Sequence, residues 1–265
     1  MLEDWTLLGA IALYALAAVM ALAEARRGRA LPVPAVIGLA LVVHAVSIAL
    51  RWQRLGHGPY VDMFEVLSSN VWSLHAVTLA GVLLIPRLRG LLAAVLPVLQ
   101  ILVVWLLTVE AQDTLFPVTY DTLWLPVHVL LGKVFLGVTV VAVGGSVVIL
   151  LRRWAGTGFA ALPSTKLLDE INFRLVLLAF VFECLMLAAG AVWAQDAWGR
   201  YWNWDPLETW AFLTWLAVAG YLHLRVTRKP PPEVSALAIL AIFVVAFGTF
   251  FGMPFVSVAP HKGMI

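Results

Sequence analysis

The stretch from Trp193 to Trp215 holds six of the chain's twelve tryptophans. It also carries one arginine, Arg200, and three acids, and long apolar runs flank it. Flat aromatic faces beside a few charges suit a large, flat, amphiphilic ligand at a membrane surface. An interfacial aromatic belt would also gather tryptophan and tyrosine, but it needs far fewer of them at each helix end. The density of tryptophan therefore favours a ligand-binding surface. The acids are Asp196, Asp205 and Glu208.

Three of the six histidines are the main candidate metal ligands. His128 stands near the start of one long apolar run, His223 near the end of another, and His261 just beyond the last. Neutral imidazole is the commonest metal-binding side chain and a standard axial ligand of haem iron. Two imidazoles beside an aromatic shelf could clamp the iron of a planar macrocycle, although a lone histidine more often packs or lies on the surface. The remaining histidines are His44, His57 and His75.

Composition defines the elements that must position these residues. The chain is 63% hydrophobic and 12% charged, with a mean hydropathy of +0.97, whereas soluble domains are about 45–50% apolar and about 25% charged. We predict an all-α, polytopic membrane protein that forms a single domain over residues 1–265. Lys133 and Glu183 lie within predicted spans, where an ionisable residue is a functional candidate unless it pairs with another or bonds to a neighbouring helix. About eight spans are expected, at 5–25, 33–51, 64–85, 91–108, 124–151, 174–194, 208–226 and 234–252.

Most of the seventeen lysine and arginine residues fall on alternating connectors, after the first, third, fifth and seventh spans. The positive-inside rule places those connectors in the cytoplasm. Both termini and the tryptophan-rich segment are then expected on the outer side, together with His128 and His261. A net charge of +2 gives no reason to expect a nucleic-acid partner.

The tryptophan-rich segment resembles a known signature. Residues 190–194 read GAVWA and residues 197–210 read AWGRYWNWDPLETW, which is similar to the WWD signature of the haem-handling proteins of cytochrome c maturation. The Asp-Pro-x-Glu-Thr-Trp ending resembles the CcsA/ResC type of system II. Three shorter stretches agree: RW at 51–52 with GHGP at 56–59 and Glu65, WLPVHV at 124–129, and YLHLR at 221–225. The resemblance runs from about residue 50 to 265, with the external WWD loop at about 193–210.

The resemblance implies the haem-exporting half of a cytochrome c synthase, working with a ResB/CcsB-type membrane subunit. Haem b would be taken up near the intramembrane ligand His223 and moved to an outer site. There His128 and His261 would hold the iron over the surface of the WWD loop, and the haem would be presented to the Cys-x-x-Cys-His motif of apocytochrome c. No side chain is expected to act as a nucleophile or general base. The outer surface would comprise Trp198, Arg200, Trp202, Trp204 and Asp205.

Two features depart from the family pattern. Leu207 stands where a lysine is common, and the segment around His261 lacks the expected local motif. Three alternatives stay open: a CcmC-type system I haem-delivery protein, a transporter, and a scaffold without haem. The expected location is the bacterial cytoplasmic membrane, or the thylakoid membrane if the protein is organellar.

Overall fold

A computed structural model describes residues 1–156 and 162–253, and these residues form a bundle of α-helices. The all-α prediction is confirmed. Two short 3₁₀ segments, Pro86–Leu91 and Val118–Tyr120, precede the fourth and fifth of these helices, and a π-helical turn, Gly248–Gly252, extends the eighth. The helices are α1 Leu2–Arg27, α2 Val33–Leu55, α3 Met63–Leu84, α4 Leu92–Leu106, α5 Trp124–Ala155, α6 Thr165–Trp198, α7 Pro206–Arg228 and α8 Pro232–Phe247.

The helix lengths and composition make this an integral membrane protein. Within the described residues, seven segments are long and apolar enough to cross a membrane. Helix α4 has 15 residues, or about 22 Å at 1.5 Å per residue, and reaches spanning length because the segment Pro86–Leu91 continues it. Helix α7 has 23 residues but is less apolar, since Glu208, two tryptophans and His223 interrupt its aliphatic residues.

Helix α6 is longer than predicted, and this changes the description of the tryptophan-rich segment. It has 34 residues, begins where the Ser164 hydroxyl accepts the amide of Leu167, and ends at Gly199 in the left-handed conformation. Trp193 and Trp198 are therefore helical rather than part of a loop. Only residues 199–205 connect α6 to α7, and Asp205 begins α7 by accepting the Glu208 amide at 2.9 Å.

Helix α5 lies at the centre of the bundle and packs against α3, α4, α6 and α8. Two adjacent glycines allow the close approach: a Cβ at Gly144 would lie 2.3 Å from Val95, and one at Gly145 would lie 2.2 Å from Asn172. Burial on several sides explains why its apolar residues show no single hydrophobic stripe. A helix apolar all round is typical of the interior of a bundle.

The connectors fall into two groups at opposite ends of the bundle. At one end, which we call the cleft end, the connectors 56–62, 107–123 and 199–205 meet; the Thr122 hydroxyl donates to Asp196 at 3.2 Å, for example. At the other, the arginine end, Arg89 pairs with Glu24 at 2.9 Å. The basic residues after odd-numbered helices lie at the arginine end, as the alternation of charge predicts.

A buried group of charges ties α1, α2 and α3 together at the cleft end. Arg51 contacts three carboxylates: Glu65 at 3.0 Å, Asp62 at 2.9 Å and Glu3 at 3.4 Å. Its side chain is 6% exposed. We call these four residues the Arg51 network. Arg51 also donates to the backbone oxygen of Gln112, so the network fixes the connector before α5 as well.

Candidate functional site

A large cleft opens at the cleft end between α3, α5, α6, α7 and the end of α8. About 1050 Å³ of empty space lies within it, a volume that includes the solvent at its open mouth. Its walls are mostly apolar. The polar groups and aromatic rings that face it include Asn70, His128, Lys133, Trp193, Trp202 and Glu208.

His128 lines this cleft on the second turn of α5. Its Nδ1 donates to the backbone oxygen of Met186 at 2.8 Å, because a carbonyl oxygen can only accept. The hydrogen is therefore on Nδ1 and the lone pair on Nε2, which is how many metal-bound histidines are oriented. The imidazole also stacks on Trp193, with ring centroids 6.0 Å apart. These contacts fix both the tautomer and the plane of the ring.

Gly190 brings α6 close to His128. A Cβ at this position would lie 2.7 Å from His128 Nδ1 and 2.8 Å from its Cε1. Such distances are shorter than carbon and nitrogen atoms tolerate, so only glycine fits without moving the ring. Gly190 thus helps to orient the imidazole although it carries no functional group.

A buried aromatic cluster supports the wall behind His128. Trp193 is 1% exposed; its indole N–H donates to the backbone oxygen of Thr119 at 3.2 Å. Tyr120 and Trp198 pack edge-on against it, with ring centroids at 5.7 and 5.0 Å. Burial raises the pKa of Tyr120 to about 12, so the phenol stays neutral. The cluster joins the connector before α5 to the end of α6.

The connector 199–205 places the predicted WWD residues in different environments. Trp202 lines the cleft, and its buried indole nitrogen has no hydrogen-bond partner among the described residues. Trp204 is 63% exposed and packs edge-on against Trp202 at 5.7 Å. Arg200 is exposed and donates to Asn203 at 2.7 Å, and Asp205 caps α7. The structure thus brings Trp202 and His128 to one cleft, with Trp198 behind its wall and Trp204, Arg200 and Asp205 beside it.

His223 lies far from the cleft. It follows the first residue of α7 by seventeen positions, about 25 Å at 1.5 Å per residue, and it is exposed. The neighbouring Arg225 forms a 2.6 Å ion pair with Asp169, so its charge is engaged within the bundle. The other predicted ligand, His261, lies outside the described residues.

The remaining histidines do not face the cleft. His44 bonds to Ser68 at 2.9 Å and to Tyr14 at 3.3 Å, and His75 stacks on Tyr14. His57 lies in the connector after α2, where its ring nitrogens contact the backbone oxygens of Gly58 and Thr114. These are packing positions.

The two ionisable residues that sequence analysis places within predicted spans, Lys133 and Glu183, lie in different environments. Lys133 faces the cleft and donates to Ser69 at 2.5 Å, so it bonds to a neighbouring helix. Glu183 is fully buried, and neither of its carboxylate oxygens has a partner among the described residues. Sequence analysis flags Lys133 only because its charge lies within a predicted span, and assigns it no role. Gly190 belongs to the GAVWA stretch of the resemblance, but nothing in the sequence indicates its contact with His128.

The fold and the cleft define a polytopic, all-α membrane protein with a histidine-bearing apolar site at one end of the bundle. The family model described as Cytochrome C assembly protein matches residues 5–257, and the chain belongs to this family. The predicted CcsA-type resemblance and a role in cytochrome c biogenesis are confirmed at this level.

Curated relatives named cytochrome c biogenesis protein CcsA agree. The Chlamydomonas reinhardtii protein is 29% identical over 235 residues, which cover 85% of this chain and 66% of that protein. The Prochlorococcus marinus MIT 9303 protein is 29% identical over 264 residues, covering 85% and 82%. The Coffea arabica protein is 44% identical over 95 residues, covering 36% and 30%. This chain thus spans just under two thirds of the Chlamydomonas protein.

A solved structure shares the fold. Cytochrome c Heme Lyase CcmF superposes with a TM-score of 0.72 at 20% sequence identity, covering 94% of this chain and 46% of that one. At this identity the likeness concerns the arrangement of the helices.

Proposed function

We propose that the protein handles haem in cytochrome c biogenesis and holds haem b in the cleft, with His128 as an axial ligand. The observation that carries this proposal is the orientation of His128. Its Nδ1–H donates to the Met186 carbonyl, so Nε2 is the ring nitrogen that would bind the iron. The cleft is mostly apolar and lined by tryptophan, which suits a flat macrocycle with an apolar body.

The aromatic residues would position the haem rather than react with it. Trp202 would contact a face or edge of the macrocycle, and the Trp193 cluster would keep His128 in place. His261 is proposed as the second axial ligand. Haem itself supplies the vinyl groups that react with the thiols of apocytochrome c, so the protein's contribution is orientation and proximity.

Several finer features of the proposal come from the family. His223 would bind haem during uptake at the arginine end, and a ResB/CcsB-type subunit would complete the synthase. The cleft end would face the outer side of the membrane, because the basic connectors lie at the opposite end. Among the alternatives, CcmC-type delivery is disfavoured because curated relatives named CcsA align with 85% of this chain.

Replacing His128 by glycine tests the assignment. We expect His128→Gly to lose most of the haem that copurifies with the protein, and we expect imidazole added during growth to restore the haem spectrum. Leu130→Gly is the matched control, because Leu130 is exposed on the same helix and suffers the same cost of a helical glycine. Unchanged haem content and spectrum in His128→Gly would refute the proposed ligation.

A further inference from the structure

Among residues 1–156 and 162–253, Lys133 is the one lysine that lines the cleft. It lies five residues after His128 on α5, which is about 7–8 Å further from the cleft end along the helix axis. Among the described residues, no carboxylate lies within 4 Å of its Nζ, since no ion pair includes it. A cation in a mostly apolar cleft within a membrane protein is costly unless it meets a negative charge.

Ser69 holds the ammonium group in this position. The Ser69 hydroxyl donates its single hydrogen to the backbone oxygen of Pro59 at 2.9 Å. Its lone pairs therefore accept from Lys133 Nζ, at 2.5 Å. An ammonium group has three hydrogens, so two remain for a ligand in the cleft.

The acid Glu208 lines the same cleft but does not neutralise Lys133. Its Oε2 accepts the backbone N–H of Asn203 at 2.7 Å, and it lies on the first turn of α7, beside the connector 199–205. The cleft therefore has its acid near the connector and its cation further along α5. An amphiphilic ligand with a carboxylate at one edge matches this arrangement.

We infer that Lys133, positioned by Ser69, forms an anion-binding subsite in the cleft that takes a carboxylate of the bound ligand. This inference rests on the proposed function: for haem, the carboxylates are the propionates at the edge of the macrocycle. Ligation by His128 and the contact with Lys133 would then fix both the centre and the rotational orientation of the haem. Orientation matters because only one edge carries the vinyl groups.

The test compares haem b with its dimethyl ester, which keeps the iron and the ring but lacks the negative charges. Both are titrated into purified wild-type protein, Lys133→Met and Lys166→Met, and followed by absorption. Lys166 is an exposed lysine at the start of α6, so its replacement controls for the loss of one positive charge. We expect wild type and Lys166→Met to bind the free acid with an affinity about tenfold or more higher than that for the ester. This ratio is what a hydrogen bond to a charged group usually contributes. Lys133→Met should lose this preference but keep the spectrum that depends on His128.

The outcomes separate the subsite from the proposed function. If haem binds through His128 but Lys133→Met keeps the wild-type preference, the subsite is wrong and the proposed function stands. If wild-type protein binds haem b and its dimethyl ester with about equal affinity, the subsite is also refuted, even if Lys133→Met fails to fold. If no haem binding depends on His128, the proposed function fails and the subsite fails with it.

Discussion

At the scale of single residues, the space around His128 depends on Gly190, which has no side chain. Gly190 lets the backbone of α6 approach so closely that the Met186 carbonyl can accept from the imidazole. The ring is held on one side by this hydrogen bond and on the other by Trp193. Ligand geometry at His128 therefore depends on the packing of α5 against α6.

Replacing Gly190 by alanine should disturb this geometry. The added Cβ would lie 2.7 Å from His128 Nδ1, so the ring must rotate or the helices must separate. We expect Gly190→Ala to weaken haem binding by about tenfold or more and to shift the absorption spectrum. The measurement is an absorption titration with haem b.

Gly220→Ala is the matched control. This glycine also lies within a helix, α7, but a Cβ there would meet nothing within 4 Å. It should bind haem as wild type does, and relief of the helical glycine should stabilise the fold by up to about 1 kcal/mol. Identical haem titrations for both variants would contradict the role of Gly190.

Sequence reasoning could reach some of these residues and not others. His128 was predicted because it begins a long apolar run within a recognisable motif. The pairing of Lys133 with Ser69, and the contact of Gly190 with His128, join residues 64 and 62 positions apart. Such contacts depend on how helices pack, and the spacing of residues along one helix does not encode them.

At the scale of elements, apolar runs predicted the existence of the helices better than their ends. Span six was predicted at 174–194, yet α6 covers Thr165–Trp198, because a helix continues past the apolar run as long as its backbone groups find partners. The same reason places Trp193 and Trp198 on a rigid helix rather than on a loop. The expected WWD loop is therefore mostly two helix ends and a seven-residue connector.

The Arg51 network provides a prediction for the elements α1, α2 and α3. Arg51→Met leaves the buried acids Glu65 and Asp62 without their cation, and breaking a buried pair in this way costs about 3–5 kcal/mol. We expect a clearly lower melting temperature in detergent and less protein in the membrane. Thermal unfolding of the purified variant measures the effect.

Arg54→Met serves as the control for this prediction. Arg54 also pairs with Glu3, and with Asp113, whose pKa its guanidinium lowers. Its side chain is 45% exposed, and exposed pairs contribute about 1 kcal/mol or less. Equal losses of stability in the two variants would show that the Arg51 network is no more important than a surface pair.

At the scale of the whole molecule, the two ends of the bundle carry different groups. The cleft, with His128, lies at one end, and His223 lies about 25 Å along α7 from that end. His128 lies on the second turn of α5 at the cleft end, so the two histidines are too far apart to bind the iron of one haem together. Movement of haem through the protein would therefore require two separate binding events.

This separation leads to a prediction for His223. We expect His223→Ala to lower the haem content of both sites, because haem would reach the cleft only after uptake at the arginine end, whereas His128→Ala should deplete the cleft alone. The haem-to-protein ratio and the absorption spectrum of each purified variant measure these changes. Val226→Ala, an exposed position one turn further along, is the control. A His223→Ala protein with a normally filled cleft would return His223 to a packing or surface role.

The sequence positions of the Arg51 network determine when its charges can be neutralised during synthesis. Arg51 and its three carboxylate partners, Glu3, Asp62 and Glu65, all lie within the first 65 residues. These charges can pair as soon as α3 has been inserted, before the ribosome has made α5. The first three helices can therefore settle in the bilayer as a unit. The cleft, whose walls come from α3 and from helices made later, is completed on a scaffold that already exists.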